Sequence, residues 1–147
     1  MLFGSVVDAP LTFALLETPL GAIQWRSSLA RSFGPTGIIK ALAKLATKVR
    51  GLYVVLRDGQ LISYGWATMG RCKHYKIERD AIVIGPIWTD SQLRGRGIAT
   101  IALQAAIDAY IRRGRKTFYI DTSKTNISAQ RVFAKSGFGN PVALYFR

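Results

Sequence analysis

The stretch that most constrains the fold is residues 81–113, "AIVIGPIWTDSQLRGRGIATIALQAAIDAYIRR". It opens on an apolar run, 81–89, of the kind that forms a buried strand. Gly85-Pro86 interrupts that run. Proline has no N–H to give a ladder, so the strand is expected to bulge or lose pairing there. A helix follows over 97–113, with Ile98, Ile101, Ala102, Ala105 and Ala109 on one face and Gly114 as its stop. Arg112 and Arg113 suit the negative end of its dipole. Between strand and helix stands Arg94-Gly95-Arg96-Gly97. The first turn of a helix leaves N–H groups unpaired and carries partial positive charge. Gly95 and Gly97 let the backbone close on an anion, and Arg94 and Arg96 add charge. The same glycines can serve the turn alone. Two well-known phosphate loops do not fit: there is no G-x-x-x-x-G-K-[ST], and Thr100 stands where G-x-G-x-x-G needs its third small residue.

The flanking sequence reads as mixed α/β. Residues 12–16 form a short apolar strand. Residues 21–31 suit a helix that breaks near Gly34-Pro35. Residues 36–50 suit another, with Ile38, Ile39, Leu42, Leu45, Ala46 and Val49 at helical spacing. Lys40, Lys44 and Lys48 recur every fourth residue there, as a solvated face or as a patch for an acidic acceptor or membrane surface. Residues 52–69 read as a β-hairpin turning at Asp58-Gly59. After the long helix come a strand at 116–121, a helix at 126–135 ending at Gly137, and a strand at 142–146. Repeats and linkers are lacking, and 147 residues suit a single domain, 1–147.

Charge narrows the partners. Lys and Arg number 21 against 8 Asp and Glu, a net charge of +13. Such a field favours anions: phosphorylated cofactors, nucleotide-linked substrates, nucleic acid or an acidic membrane. No nucleic-acid-reading motif accompanies it, so nucleic acid is not the expected partner. Cys72 is the lone cysteine, which excludes an internal disulfide and a cysteine zinc cluster; no metal is expected. No apolar run has the length of a membrane span and no signal peptide is evident, so a cytoplasmic protein is expected.

Two blocks resemble the GNAT-type N-acyltransferases. The first is Arg94-Gly95-Arg96-Gly97-Ile98-Ala99, which matches [R/Q]-x-x-G-x-[G/A] between the fourth strand and the long helix. The second is "NISAQRVFAKSGF", from Asn126 to Phe138, which matches N-x-x-[AS]-x-x-x-[YF]-x-K-x-G-F after a strand. The resemblance covers about residues 50–147. It implies a mixed, mostly antiparallel central sheet with flanking helices and one parallel strand pair that splays at a bulge. It implies acetyl-CoA, or another acyl-CoA, as co-substrate. The loop Arg94, Gly95, Arg96, Gly97, Ile98 and Ala99 would take the pyrophosphate. The strand with Ile87, Trp88 and Thr89 would pair with the pantetheine arm, and Asn126 and Phe133 would adjoin it. Family members are often dimers, which leaves a homodimer open.

The implied reaction is direct acyl transfer to a primary amine in a ternary complex. A backbone N–H of Trp88 or Thr89 would polarise the thioester. The family's frequent general acid is a tyrosine seven residues after the asparagine; here that position is Phe133, which has no proton to give. Tyr119, Ser128 or water could replace it, or the thiolate could leave without an acid. Asn126 would anchor the pantetheine or a water, cap its helix, or do both. Glu78, Asp80 and His74 are open choices for a base, as is a chain of waters. Cys72 reads as a small packing residue rather than a nucleophile. The positive field favours a small anionic acceptor, a nucleotide-linked amino sugar first. The alternatives are a peptide or protein acceptor, or a degenerate acyltransferase that docks on nucleic acid or membrane through its basic faces.

Overall fold

A computed structural model describes residues 10–139. The expected strand at 142–146 lies outside them. A five-stranded sheet runs in chain order: β1 (Leu11–Leu16), β2 (Arg50–Arg57), β3 (Gln60–Met69), β4 (Ile82–Thr89) and β5 (Phe118–Ile120). All neighbours are antiparallel except β4 and β5, which are parallel. Two helices, α1 (Pro19–Ile23) and α2 (Arg26–Ala46), cover one face. Helices α3 (Ile98–Arg112) and α4 (Ile127–Lys135) serve the other, with α3 packed on the sheet. Among the described residues no helix is long and apolar enough to cross a membrane.

The β2–β3 turn forms at Asp58 and Gly59, both at positive φ as a tight hairpin requires. The break expected near Gly34-Pro35 is present: Gly34, at φ 70° and ψ 175°, is non-helical and divides α2 into two helical parts that meet at a kink. The helix expected over 36–50 ends at Ala46. Arg50 already belongs to β2, and just before it the Val49 carbonyl accepts from the Met69 N–H at 2.7 Å. Lys48, at φ 61°, therefore leaves the line of Lys40 and Lys44. Ile39 and Ile101, both assigned to apolar faces, are 66% and 52% exposed. On α3 the buried stripe is Ile98, Ala102, Leu103, Ala106, Ala109 and Tyr110, which turns Ile101 outward.

The strand carrying Gly85-Pro86 bulges where proline forbids a ladder bond. Gly65 pairs with Ile87 and Ala67 with Ile84, so Trp66 alone faces both Gly85 and Pro86. On its other edge β4 meets β5 only through Ile82, Val83 and Ile84. Beyond the bulge its second half has no strand partner on that side among the described residues, and β5 stops at Ile120. The parallel pair thus parts at the bulge.

The α3 side of the sheet centres on Tyr53, fully buried against Ile62, Ile98 and Ala102. Its hydroxyl has no hydrogen-bond partner among the described residues. Burial, with Tyr110 beside it, holds the phenol proton far above the usual tyrosine range. An unmet buried hydroxyl costs on the order of 1–3 kcal/mol. Tyr53→Phe is therefore expected to stabilise the protein by about 1 kcal/mol, read as a melting temperature higher by roughly 2–4 °C. An unchanged or lower value would mean that the hydroxyl has a partner in solution.

Candidate active site

The loop after β4 is built by short-range bonds. The Asp90 carboxylate accepts from the Gln92 N–H at 2.9 Å and starts a single 3-10 turn, Ser91–Leu93. Leu93 is 7% exposed and pins that turn to the core. Arg94 turns back, and its Nε donates to the Thr89 carbonyl at 3.1 Å. Gly95 and Gly97 lie at φ 78° and 79°, which side chains with a Cβ rarely adopt. A Cβ on either would meet no atom within 4 Å. The glycines are therefore required by backbone angle, and the space over them is open. Gly97 caps α3 without a side-chain hydrogen bond. The first N–H groups of that helix, including those of Ile98 and Ala99, thus face the open space with Arg96 exposed beside them. A pyrophosphate fits there: positive charge, free donors and room.

The direction of the β4 backbone follows from two bonds. The Asp90 N–H donates to the Ile62 carbonyl of β3 at 2.9 Å, while the Thr89 carbonyl is taken by Arg94 on the other side. Antiparallel pairing alternates, so Thr89 and Ile87 present N–H and C=O to the splay, and Trp88 presents its own to β3. The Thr89 side chain is buried, its hydroxyl 3.1 Å from that of Ser63, which also donates to the Trp88 carbonyl at 2.9 Å. This buried polar pair fixes the last turn of β4 before the loop. The sequence reading missed it, since Ser63 sits in a β-rich run with nothing to mark it.

Side chains on the two sheet faces divide the remaining candidates. Phe118 and Ile120 pack toward α3, so Tyr119 between them points to the α2 face. There its hydroxyl donates to the Glu78 carboxylate at 2.9 Å, and its ring lies 5.9 Å from that of Tyr75. The bond to Glu78 raises the Tyr119 pKa and keeps its proton in place. Trp88 shares this face, stacked on Tyr64 at 5.4 Å; Phe33 meets Tyr64 edge-on at 4.8 Å. Tyr64 and Trp66, two residues apart on one strand, are a period-2 signal that the sequence carried and the motif reading passed over.

Phe133 lies on the opposite face, half-buried, its ring 6.3 Å from Phe138 in the cluster that holds Ile84 and Leu103. Asn126 caps α4: its side-chain oxygen accepts from the Ala129 N–H at 3.2 Å. Asn126→Ala should cost about 1 kcal/mol of stability. The same variant measured for its acetyl-CoA KM separates the cap from an anchoring role, because a cap alone leaves KM unchanged. Ser128 and Arg131 are exposed on α4. Cys72, His74 and Asp80 lie in the connection between β3 and β4.

The acetyltransferase (GNAT) family model matches residues 22–138 of the chain. The chain belongs to the GNAT family of acetyltransferases. Its fold is that of solved family structures. An aminoglycoside N-acetyltransferase, AAC(6')-Iy, in complex with CoA, superposes with a TM-score of 0.69 at 16% identity, covering 97% of each chain. A ribosomal-protein-alanine N-acetyltransferase from Brucella melitensis biovar Abortus 2308 gives 0.65 at 15% identity, covering 93% of this chain and 97% of its own. An aminoglycoside acetyltransferase from an uncultured soil metagenomic sample gives 0.65 at 20% identity, with the same coverage. No curated protein matches the chain significantly. In this acetyltransferase the splayed strand pair and the glycine-rich helix start adjoin each other, at the carboxyl end of β4.

Proposed function

We propose that this acetyltransferase transfers an acyl group, acetyl first, from acyl-CoA to the primary amine of a small anionic acceptor. A nucleotide-linked amino sugar is the first choice. The observation that carries the proposal is the second half of β4, whose outer edge has no partner among the described residues, running into a glycine-led helix start that no side chain caps. An extended pantetheine arm satisfies a strand edge, and a pyrophosphate satisfies free helix N–H groups. Gly95, Arg96, Gly97, Ile98 and Ala99 take the phosphates, with Arg94 bracing the loop. Ile87 and Thr89 offer the backbone edge. Transfer is direct, within a ternary complex.

A backbone N–H on this edge polarises the thioester carbonyl, from Ile87 or Thr89 and not from Trp88, whose N–H is turned toward β3. A single such donor is worth about 10²–10³ in rate. The Glu78–Tyr119 pair handles protons. The amine nitrogen attacks the thioester carbon, and its proton passes to the Glu78 carboxylate. The C–S bond breaks as the amide forms, and the thiolate takes the Tyr119 proton. Glu78 then returns the proton it accepted to Tyr119, so charge balances over one turnover. Tyr119→Phe is expected to lower kcat about 10²-fold while leaving the melting temperature unchanged, because its hydroxyl bond lies at the surface. A kcat within threefold of wild type would remove the pair from the reaction.

The anionic acceptor rests on charge. A field of +13 repels polycations such as aminoglycosides and concentrates anions. The test compares kcat/KM at physiological salt across anionic, neutral and cationic amines. Cationic amines as the best acceptors would overturn the proposal.

A further inference from the structure

On the α2 face, directly beside Trp88, a groove of about 330 Å³ opens between α2 and β3. Its floor is aromatic, with Tyr64 and Trp66 from β3 and Phe33 from α2. Its wall carries Lys40 and Lys44, one helical turn apart, with Ser32 nearby. No Asp or Glu lines it. The Lys44 Nζ stands 4.7 Å over the Trp66 ring, which holds this ammonium at the wall of the groove. Tyr64, at the groove floor, pairs with Trp88 in the sheet and stacks on it. The groove therefore ends one strand away from the β4 edge where transfer is placed.

We infer that this groove is the acceptor subsite and that it binds a nucleoside diphosphate carried by the amine. The aromatic floor gives a base apolar surface to pack against. Two ammonium groups on one wall, with no carboxylate to answer them, suit a diphosphate. The amine end then extends past Trp88 toward the β4 edge. This assignment rests on the acyltransfer reading above and names the side chains that give it acceptor selectivity. Lys40 and Lys44 are binding residues; they leave the acyl-CoA side untouched.

The experiment uses the full chain with acetyl-CoA and a matched pair of acceptors: an amino sugar linked to uridine diphosphate, and the same amino sugar free. Wild type is expected to favour the linked acceptor by 10²-fold or more in kcat/KM. Lys40→Gln/Lys44→Gln should cut that preference at least tenfold, through KM of the linked acceptor. Turnover of the free sugar and KM for acetyl-CoA should stay unchanged. Lys40→Arg/Lys44→Arg should keep most of the preference. If wild type shows the preference and the glutamine pair retains it, the groove assignment fails while the anionic-acceptor reading stands. If wild type favours the free sugar, or an alanine-led peptide, over the linked acceptor, the nucleotide subsite is overturned at once. If wild type turns over no amine with acetyl-CoA, the acyltransfer reading itself fails.

Discussion

Gly97→Glu will erase the stabilisation that acetyl-CoA confers on the wild-type protein. A ligand at a hundred times its Kd stabilises the native state by about 2.7 kcal/mol. For a chain of this size that is a rise of roughly 5–10 °C in melting temperature. Gly97 stands at φ 79° at the mouth of α3, where a Cβ meets open space. A glutamate there fits sterically, but it sets a carboxylate at the helix start that the proposal assigns to the phosphates. It also strains the backbone, by about 1–2 kcal/mol for the left-handed conformation. Gly97→Ala carries that strain without the charge, so it should lower the unliganded melting temperature and still respond to acetyl-CoA. Loss of response in the glutamate variant alone assigns the effect to phosphate repulsion. A full response in Gly97→Glu would place the phosphates elsewhere.

That loop was legible in the sequence because its chemistry is local. Positive φ at Gly95 and Gly97, a helix start and two arginines all lie within four residues. The bulge was legible for the same reason, since Pro86 cannot give a ladder bond whatever surrounds it. The hairpin at Asp58-Gly59 also declared itself. What stayed hidden depends on contacts between distant segments. Ile101 looks like a core residue by spacing, yet the stripe turns to Leu103 and Ala106 because α3 rolls to fit over Tyr53 and Ile62. The lysine row breaks at Lys48 because Arg50 is drawn into β2 and the Val49 carbonyl bonds to Met69. The Tyr119–Glu78 bond spans 41 residues of chain, and no local pattern predicts it. Which of Trp88 and Thr89 turns its N–H to the splay depends on the pairing phase of β4, which the sequence does not carry. The aromatic floor of the groove was half legible: Tyr64 and Trp66 share a face by alternation, but only α2 brings Phe33 and the two lysines to them.

Gly65→Val should produce a large loss of stability. Gly65 is buried on β3 opposite Ile87, and the Tyr53 ring lies where its Cβ would be, the hydroxyl and its carbon closest. Tyr53 is 0% exposed, so the ring has no solvent to retreat into. Overpacking of this kind costs about 3 kcal/mol at the upper end of its usual range, a fall of roughly 6–12 °C in melting temperature. The conflict is specific to one pair of side chains, so it should couple them. Tyr53→Leu alone leaves a cavity and lowers stability, and Gly65→Ala alone crowds the ring. Together they should cost less than the sum of the two, by about 1 kcal/mol or more. Simple addition of the two costs would show that β3 moves rather than the ring. That outcome would appear in activity too, because a shift of β3 carries Ile87 and Thr89 with it. Displacement of that edge by about 1 Å can cost 10²-fold in rate. Loss of kcat in Gly65→Ala, restored by Tyr53→Leu, would therefore tie the glycine on β3 to the placement of the Ile87 and Thr89 N–H groups on β4.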